Sequence, residues 1–230
     1  MQSAAIQILF EDAYLLAVNK PPGIVVESAQ VTHQTLQAQA LSYIRSKEKY
    51  PDKCFIGPPH RLDRPVSGVV LLAKKKSVLK MLTEIFAGRQ VAKTYLAITE
   101  QCPEEKEGVL VNWLVKDMAL RKAIIHNQEV KNSARVELRY HVIAQENNKT
   151  LLRVELITGK YHQIRAQLAH AGCPIIGDSH YGSSVLYHEN AIGLHAYRLQ
   201  LTHPVTNERL EITAPPPDDD MWHDFKNYMN

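Results

Sequence analysis

One aspartate sits between two arginines in His60-Arg61-Leu62-Asp63-Arg64-Pro65-Val66-Ser67-Gly68. Pro65 fixes its own φ and biases Arg64 towards extended backbone, while Gly68 permits angles that other residues resist. The pattern predicts an Asp63 carboxylate held still and kept ionised by Arg61 and Arg64. Such a group can act as nucleophile, general base or metal ligand. A structural ion pair is the commoner meaning of an isolated R-x-D-R, so neighbouring residues must decide.

Three other segments can do chemistry. In Lys93-Thr94-Tyr95-Leu96-Ala97-Ile98, Lys93 and Tyr95 share one strand face while Leu96 and Ile98 share the other. The Tyr95 ring offers a platform for a base or sugar to stack on, although half-buried strand tyrosines are common. Gly159-Lys160-Tyr161-His162-Gln163-Ile164-Arg165 reads as a glycine turn opening a short helix. Arg165 follows Ile164 at the edge of the apolar stripe, where it can reach a carboxylate, and helix N-termini favour phosphate. The plain alternative is an amphipathic helix with a polar outer face. In Leu194-His195-Ala196, followed by Thr202-His203-Pro204, Leu194 and Ala196 share a face that suits core as well as a pocket wall. The eleven histidines form no H-E-x-x-H and the cysteines no C-x-x-C, so no metal is expected. Without G-x-x-x-x-G-K-[ST], G-x-G-x-x-G or G-x-S-x-G, nucleotide cofactors and esterase chemistry are not expected either.

The elements that must hold these residues can be read from periodicity. Ile6–Phe10 and Tyr14–Val18 read as a strand pair running into Lys20-Pro21-Pro22-Gly23. Leu36, Ala40 and Ile44 predict a helix over 35–46. Ser77 predicts the N-cap of a second helix, with Val78, Leu82, Ile85 and Phe86 on one side and Gly88 as its stop. Period-two alternation predicts strands at 93–98, 134–142 and 152–156, and a hairpin over Leu194–Leu201 and Leu210–Ile212. Pro215-Pro216-Pro217 closes the run before a short helical C-terminal segment. Strands following strands predict an α+β fold with a mixed, largely antiparallel central sheet flanked by a few helices, as one domain over 1–230.

Composition bounds the rest. Hydrophobic content of 45% with 22% charged residues is ordinary for a globular chain. No apolar run reaches membrane-spanning length, and Met1–Ile6 lacks a signal peptide's basic start. Cys54, Cys102 and Cys173 suit reduced thiols, so a cytoplasmic protein is expected. Net charge is only +3, but residues 60–93 hold eight basic side chains against two acidic ones. A basic face around the Asp63 loop would attract a polyanion; a solvated lysine-rich loop is the alternative.

Taken in order, these segments resemble the RluA family of RNA pseudouridine synthases over nearly the full chain. The residues carrying the resemblance are Asn19-Lys20-Pro21-Pro22-Gly23, His60-Arg61-Leu62-Asp63 with Ser67-Gly68, Ala73-Lys74, and Lys93-Thr94-Tyr95-Leu96-Ala97. They continue through His162-Gln163-Ile164-Arg165, Gly177-Asp178 with Tyr181-Gly182, and Leu194-His195-Ala196 with His203-Pro204. Val66 stands where the family usually has threonine, and Lys160 where it often has arginine; both bear on substrate contacts more than on catalysis. Many relatives carry an N-terminal S4 RNA-binding domain, and this chain resembles the shorter form without one.

The resemblance implies isomerisation of uridine to pseudouridine in structured RNA, tRNA or ribosomal RNA or both, with the target base flipped out. Asp63 matches the catalytic carboxylate, by attack on C1′ or proton abstraction at C2′. Tyr95 matches the tyrosine that stacks near the target, and Arg165 the basic residue that pairs with the aspartate. Leu194 matches a pocket wall, while Arg61, Arg64, Lys93, His162 and Gln163 are expected to contact substrate. The reaction needs no metal or cofactor, and a monomer without membrane association is expected. Two rivals remain at this point: an inactive RNA-binding or assembly factor on the same scaffold, and a hydrolytic glycosidase using Glu84 or Asp178 as second carboxylate.

Overall fold

The computed structural model describes residues 6–28 and 34–229. Residues 1–5, read above for a signal peptide, lie outside the described residues. In chain order the principal elements begin with β1 (Gln7–Glu11), β2 (Leu15–Lys20), α1 (Leu36–Lys47), β3 (Ser67–Ala73) and α2 (Lys76–Ala87). Next come β4 (Ala92–Thr99), β5 (Glu107–Asp117), β6 (Lys122–His126), β7 (Ala134–Glu146), β8 (Lys149–Leu156) and α3 (Gln163–His170). The chain ends with β9 (Leu194–Thr202), β10 (Arg209–Thr213) and α4 (Asp220–His223). The strands pair largely antiparallel, as expected, and the chain divides into two compact units.

The first unit comprises residues 1–91 and 196–216. β1 pairs with β2 and β2 with β3, both antiparallel, and β9 pairs with β10 as the expected hairpin. Every residue of β3 is buried, so its apolar run shows no alternation. Val78 and Leu82 of α2 pack on Leu15, Leu71 and Leu199. α1 starts at Thr35, whose hydroxyl caps the Ala38 N–H at 3.1 Å. α2 corrects the expected cap. Its N-cap is Lys75, without a side-chain cap, and Ser77 lies inside the first turn. Gly68, at φ +114°, faces Ala196 so closely that a Cβ would overlap the Ala196 backbone.

The second unit comprises residues 92–195 and 217–230. Its strands run in the order β4-β8-β7-β5-β6, each neighbouring pair antiparallel. β5 and β6 escaped the sequence reading. Val109, Leu110, Val111, Trp113, Leu114 and Val115 crowd both faces of β5 and hide its alternation. α3 is not the amphipathic helix with a polar outer face; Gln163 through Leu168 are all buried. Trp222 and Phe225 of the C-terminal segment are also buried, behind the Asp219 side-chain cap of α4.

Candidate active site

The Asp63 loop is pinned at each end and in the middle. His60 Nε2 accepts the Leu71 N–H at 3.0 Å, and its ring stacks on Phe86 with centroids 4.6 Å apart. Leu62 and Val66 are buried on either side of the half-buried Asp63. The Val66 N–H donates to the Asp63 carbonyl at 3.1 Å, closing a turn. The Arg64 carbonyl then accepts from Gly23 N at 2.8 Å and from Lys20 Nζ at 3.2 Å.

Lys20 is the residue the sequence reading left without a role. It is fully buried, and its Nζ also donates to the Pro21 and Ile24 carbonyls at 3.0 and 2.9 Å. Three carbonyls match the three donors of an ammonium. Burial pulls its pKa down to about 7, against the opposing pull of the Asp63 carboxylate. The flanking arginines have partners of their own. Arg61 meets Glu27 at 3.5 Å in solvent, and Arg64 Nε donates to the Gly23 carbonyl at 2.8 Å. Within this unit, Lys20 and the Asp63 carboxylate attract one another.

Part of the expected basic face lies away from the loop. Lys74, Lys75 and Lys76 follow the far end of β3, which spans about 20 Å. Lys74 Nζ is taken up by Glu11 and the Asp12 carbonyl.

In the second unit, α3 is preceded by a left-handed His162 at φ 52°. The Tyr181 hydroxyl accepts the Ala123 N–H at 2.7 Å and lies 2.9 Å from His162 Nδ1. Burial, helped by the Arg165 charge, lowers the His162 pKa to about 3, so this imidazole is neutral. Gln163 Oε1 accepts from Thr158 Oγ1 and Lys160 N, and its Nε2 donates to the Glu137 carbonyl and Gln167. An amide has two donors and two acceptor positions, all used here. Gln163 thus ties α3 to β7 and has no hydrogen-bonding capacity left for substrate, contrary to expectation.

Arg165 is buried and paired side-on with Asp178: Nε to Oδ2 at 2.7 Å and Nη2 to Oδ1 at 2.9 Å. Lys93 Nζ lies close to Gly159, where an added Cβ would meet it at 3.1 Å. Tyr95, two residues along β4, is half-buried, and Leu194 is buried at the start of β9. The sequence-predicted residues thus gather in two places. Arg61, Asp63 and Arg64 share one pinned loop; His162, Gln163 and Arg165 share the start of α3, with Lys93 beside the turn that leads into it.

The family model for RNA pseudouridylate synthase matches residues 14–170, more than half of the chain. The chain belongs to this family. Ribosomal large subunit pseudouridine synthase C of Pasteurella multocida is 33% identical over 216 residues, covering 91% of this chain. The chain spans 64% of that relative's length. A tRNA pseudouridine synthase C of the same organism is 31% identical, with 98% of this chain and 96% of the relative covered. In fold, the chain resembles human RNA pseudouridylate synthase domain containing 4, with a TM-score of 0.78 over 95% of this chain and 91% of that one, at 24% identity. The family match bears out the resemblance read from the motifs. Two of its sites acquire residues that sequence reasoning missed: Lys20 behind Asp63, and Asp178 with Tyr181 around Arg165. All three lie in segments that carried the resemblance; Lys20 and Tyr181 had no role attached, and Asp178 only that of a second carboxylate in the glycosidase rival.

Proposed function

We propose that this protein isomerises specific uridines to pseudouridine in structured RNA, tRNA or ribosomal RNA or both. In the reaction the C1′–N1 bond breaks, the uracil turns and C5 joins C1′. Asp63 supplies the carboxylate, by attack on C1′ or proton abstraction at C2′. The observation that carries this reading is the pinned loop: a half-buried carboxylate between two buried apolar anchors, with the buried Lys20 cation acting on it. A surface ion pair needs no such fixation.

The other roles rest on what each side chain is built to do. Tyr95 presents its ring to the target base, and Arg165 is the cation that the resemblance pairs with the aspartate. Leu194 contributes an apolar wall. Exposed Arg61 and Arg64 meet the RNA and the space left by the flipped uridine, with Lys93 and His162 as further contacts. Gln163 acts by holding α3. The protein works as a monomer, with residues 1–230 as its catalytic domain and with no cofactor.

Tritium release from RNA labelled at uridine C5 tests the reading. Wild-type protein should release tritium, and Asp63→Asn, which keeps shape and removes charge, should release none while keeping its circular dichroism spectrum. Undiminished pseudouridine formation by Asp63→Asn would overturn the assignment. A carbodiimide-based pseudouridine map with and without the gene then identifies the modified uridine.

A further inference from the structure

Arg165 and Asp178 are 5% and 2% exposed, so the pair is removed from water almost completely. A buried ion pair contributes little net stability over an apolar pair of similar volume, so folding alone does not account for it. Its geometry does something else. Two parallel N–H···O bonds through Nε and Nη2 fix the guanidinium plane and turn the opposite edge, which carries Nη1, away from Asp178. The guanidinium carbon also lies 5.0 Å from the centroid of the Tyr181 ring.

Asp178 and Tyr181 belong to one tight turn. The Asp178 carbonyl accepts the N–H groups of Tyr181 at 2.9 Å and Ser183 at 3.1 Å. Gly177, at φ +80°, begins the turn where a Cβ would come within 2.8 Å of Tyr187 Cβ. The Tyr181 hydroxyl is held by Ala123 of β6 and by His162 at the start of α3. One rigid turn thus grips the guanidinium by its edge and by its face.

We infer that Asp178 and Tyr181 are positioning residues that aim Arg165 in the synthase site, an inference resting on the function proposed above. Neither is the second carboxylate or acid of a glycosidase, because each acts through Arg165. Misplacement of a positioned group by about an ångström costs on the order of 100-fold in rate. Asp178→Asn sets an amide N–H₂ against an arginine donor and should lower kcat about 100-fold while KM changes little. Tyr181→Leu, which removes the ring, should lower kcat in the same sense.

The deciding experiment combines single-turnover pseudouridine formation with the NMR signal of the Arg165 Nε–H in isotope-labelled protein. If Asp178 acts through Arg165, Arg165→Ala/Asp178→Asn should be no slower than Arg165→Ala alone. The Nε–H signal, slow to exchange in the wild type, should be lost in Asp178→Asn. Arg165→Met/Asp178→Leu should fold and remain inactive, which separates aim from stability. Multiplying rate losses in the double variant, or wild-type kcat in both Asp178→Asn and Tyr181→Leu, would overturn the inference. A wild-type protein that forms no pseudouridine would overturn the proposed function instead. The Nε–H exchange then decides the grip on Arg165 separately: protection lost in Asp178→Asn upholds it, and no protection in wild type refutes it.

Discussion

Lys20 shows how one buried side chain can hold a loop in place. Its ammonium clamps the Arg64 carbonyl immediately after Asp63 and supplies positive charge to that aspartate. Its folded pKa of about 7 lies below the 10.5 of a free lysine. Between those values the unfolded chain binds a proton that the folded chain has released, so stability rises with pH across this window. Denaturant unfolding of the wild type at pH 7 and pH 10 should show this rise, and Lys20→Met should lack it. An identical pH dependence in the variant would remove Lys20 as its source. His162 differs in kind: its neutral ring is a hydrogen-bond partner of Tyr181, and it does not titrate near pH 7.

Among the elements, β3 and α3 do most to place the candidate site residues. β3 carries the Asp63 loop at one end, and Gly68 lets its backbone approach Ala196 of β9. Gly68→Ala combines a strained left-handed φ with a backbone overlap. It should destabilise the protein by about 2 kcal/mol or more, read as a lower denaturant midpoint with an unchanged slope. A midpoint within experimental scatter of wild type would show that the strands can separate at no cost. α3 instead relies on polar ties: Gln167 Nε2 donates to the Leu110 carbonyl and Asn112 Oδ1 of β5, at 3.1 and 2.8 Å. Helical spacing located α3, but its burial on every side was not legible, because glutamines and an arginine read as solvent-facing until their partners are known. β3 was missed for the converse reason. Its seven consecutive buried residues present neither period two nor period 3.6.

For the whole molecule, chain order and compact unit do not coincide. Residues 196–216 return to the first unit, and the segment from Pro217 returns to the second. Trp222 and Phe225 anchor that last segment, helped by Lys149–Asp224 at 2.8 Å and the Tyr228 hydroxyl on Glu146 at 2.7 Å. The triple proline reads as the end of the fold, yet the segment beyond it contributes to the core. Trp222→Ala should cost about 3–5 kcal/mol. The remaining tryptophan, Trp113 on β5, reports unfolding of the same unit by fluorescence. A loss below about 1 kcal/mol would show that the segment is only surface cover. Among the described residues no helix is long and apolar enough to cross a membrane.

The sequence by itself determined the chemistry-bearing motifs, the antiparallel α+β character and the family. Residue type, local spacing and period-two alternation are properties of neighbours along the chain. Only the tertiary structure decided what holds each reactive group. Arg61 and Arg64 flank Asp63 in sequence, and Lys20, forty-three positions earlier, acts on it as well. Arg165 is paired by Asp178 and faced by Tyr181 for the same reason. Burial and charge act through space, across chain separations that no local pattern encodes.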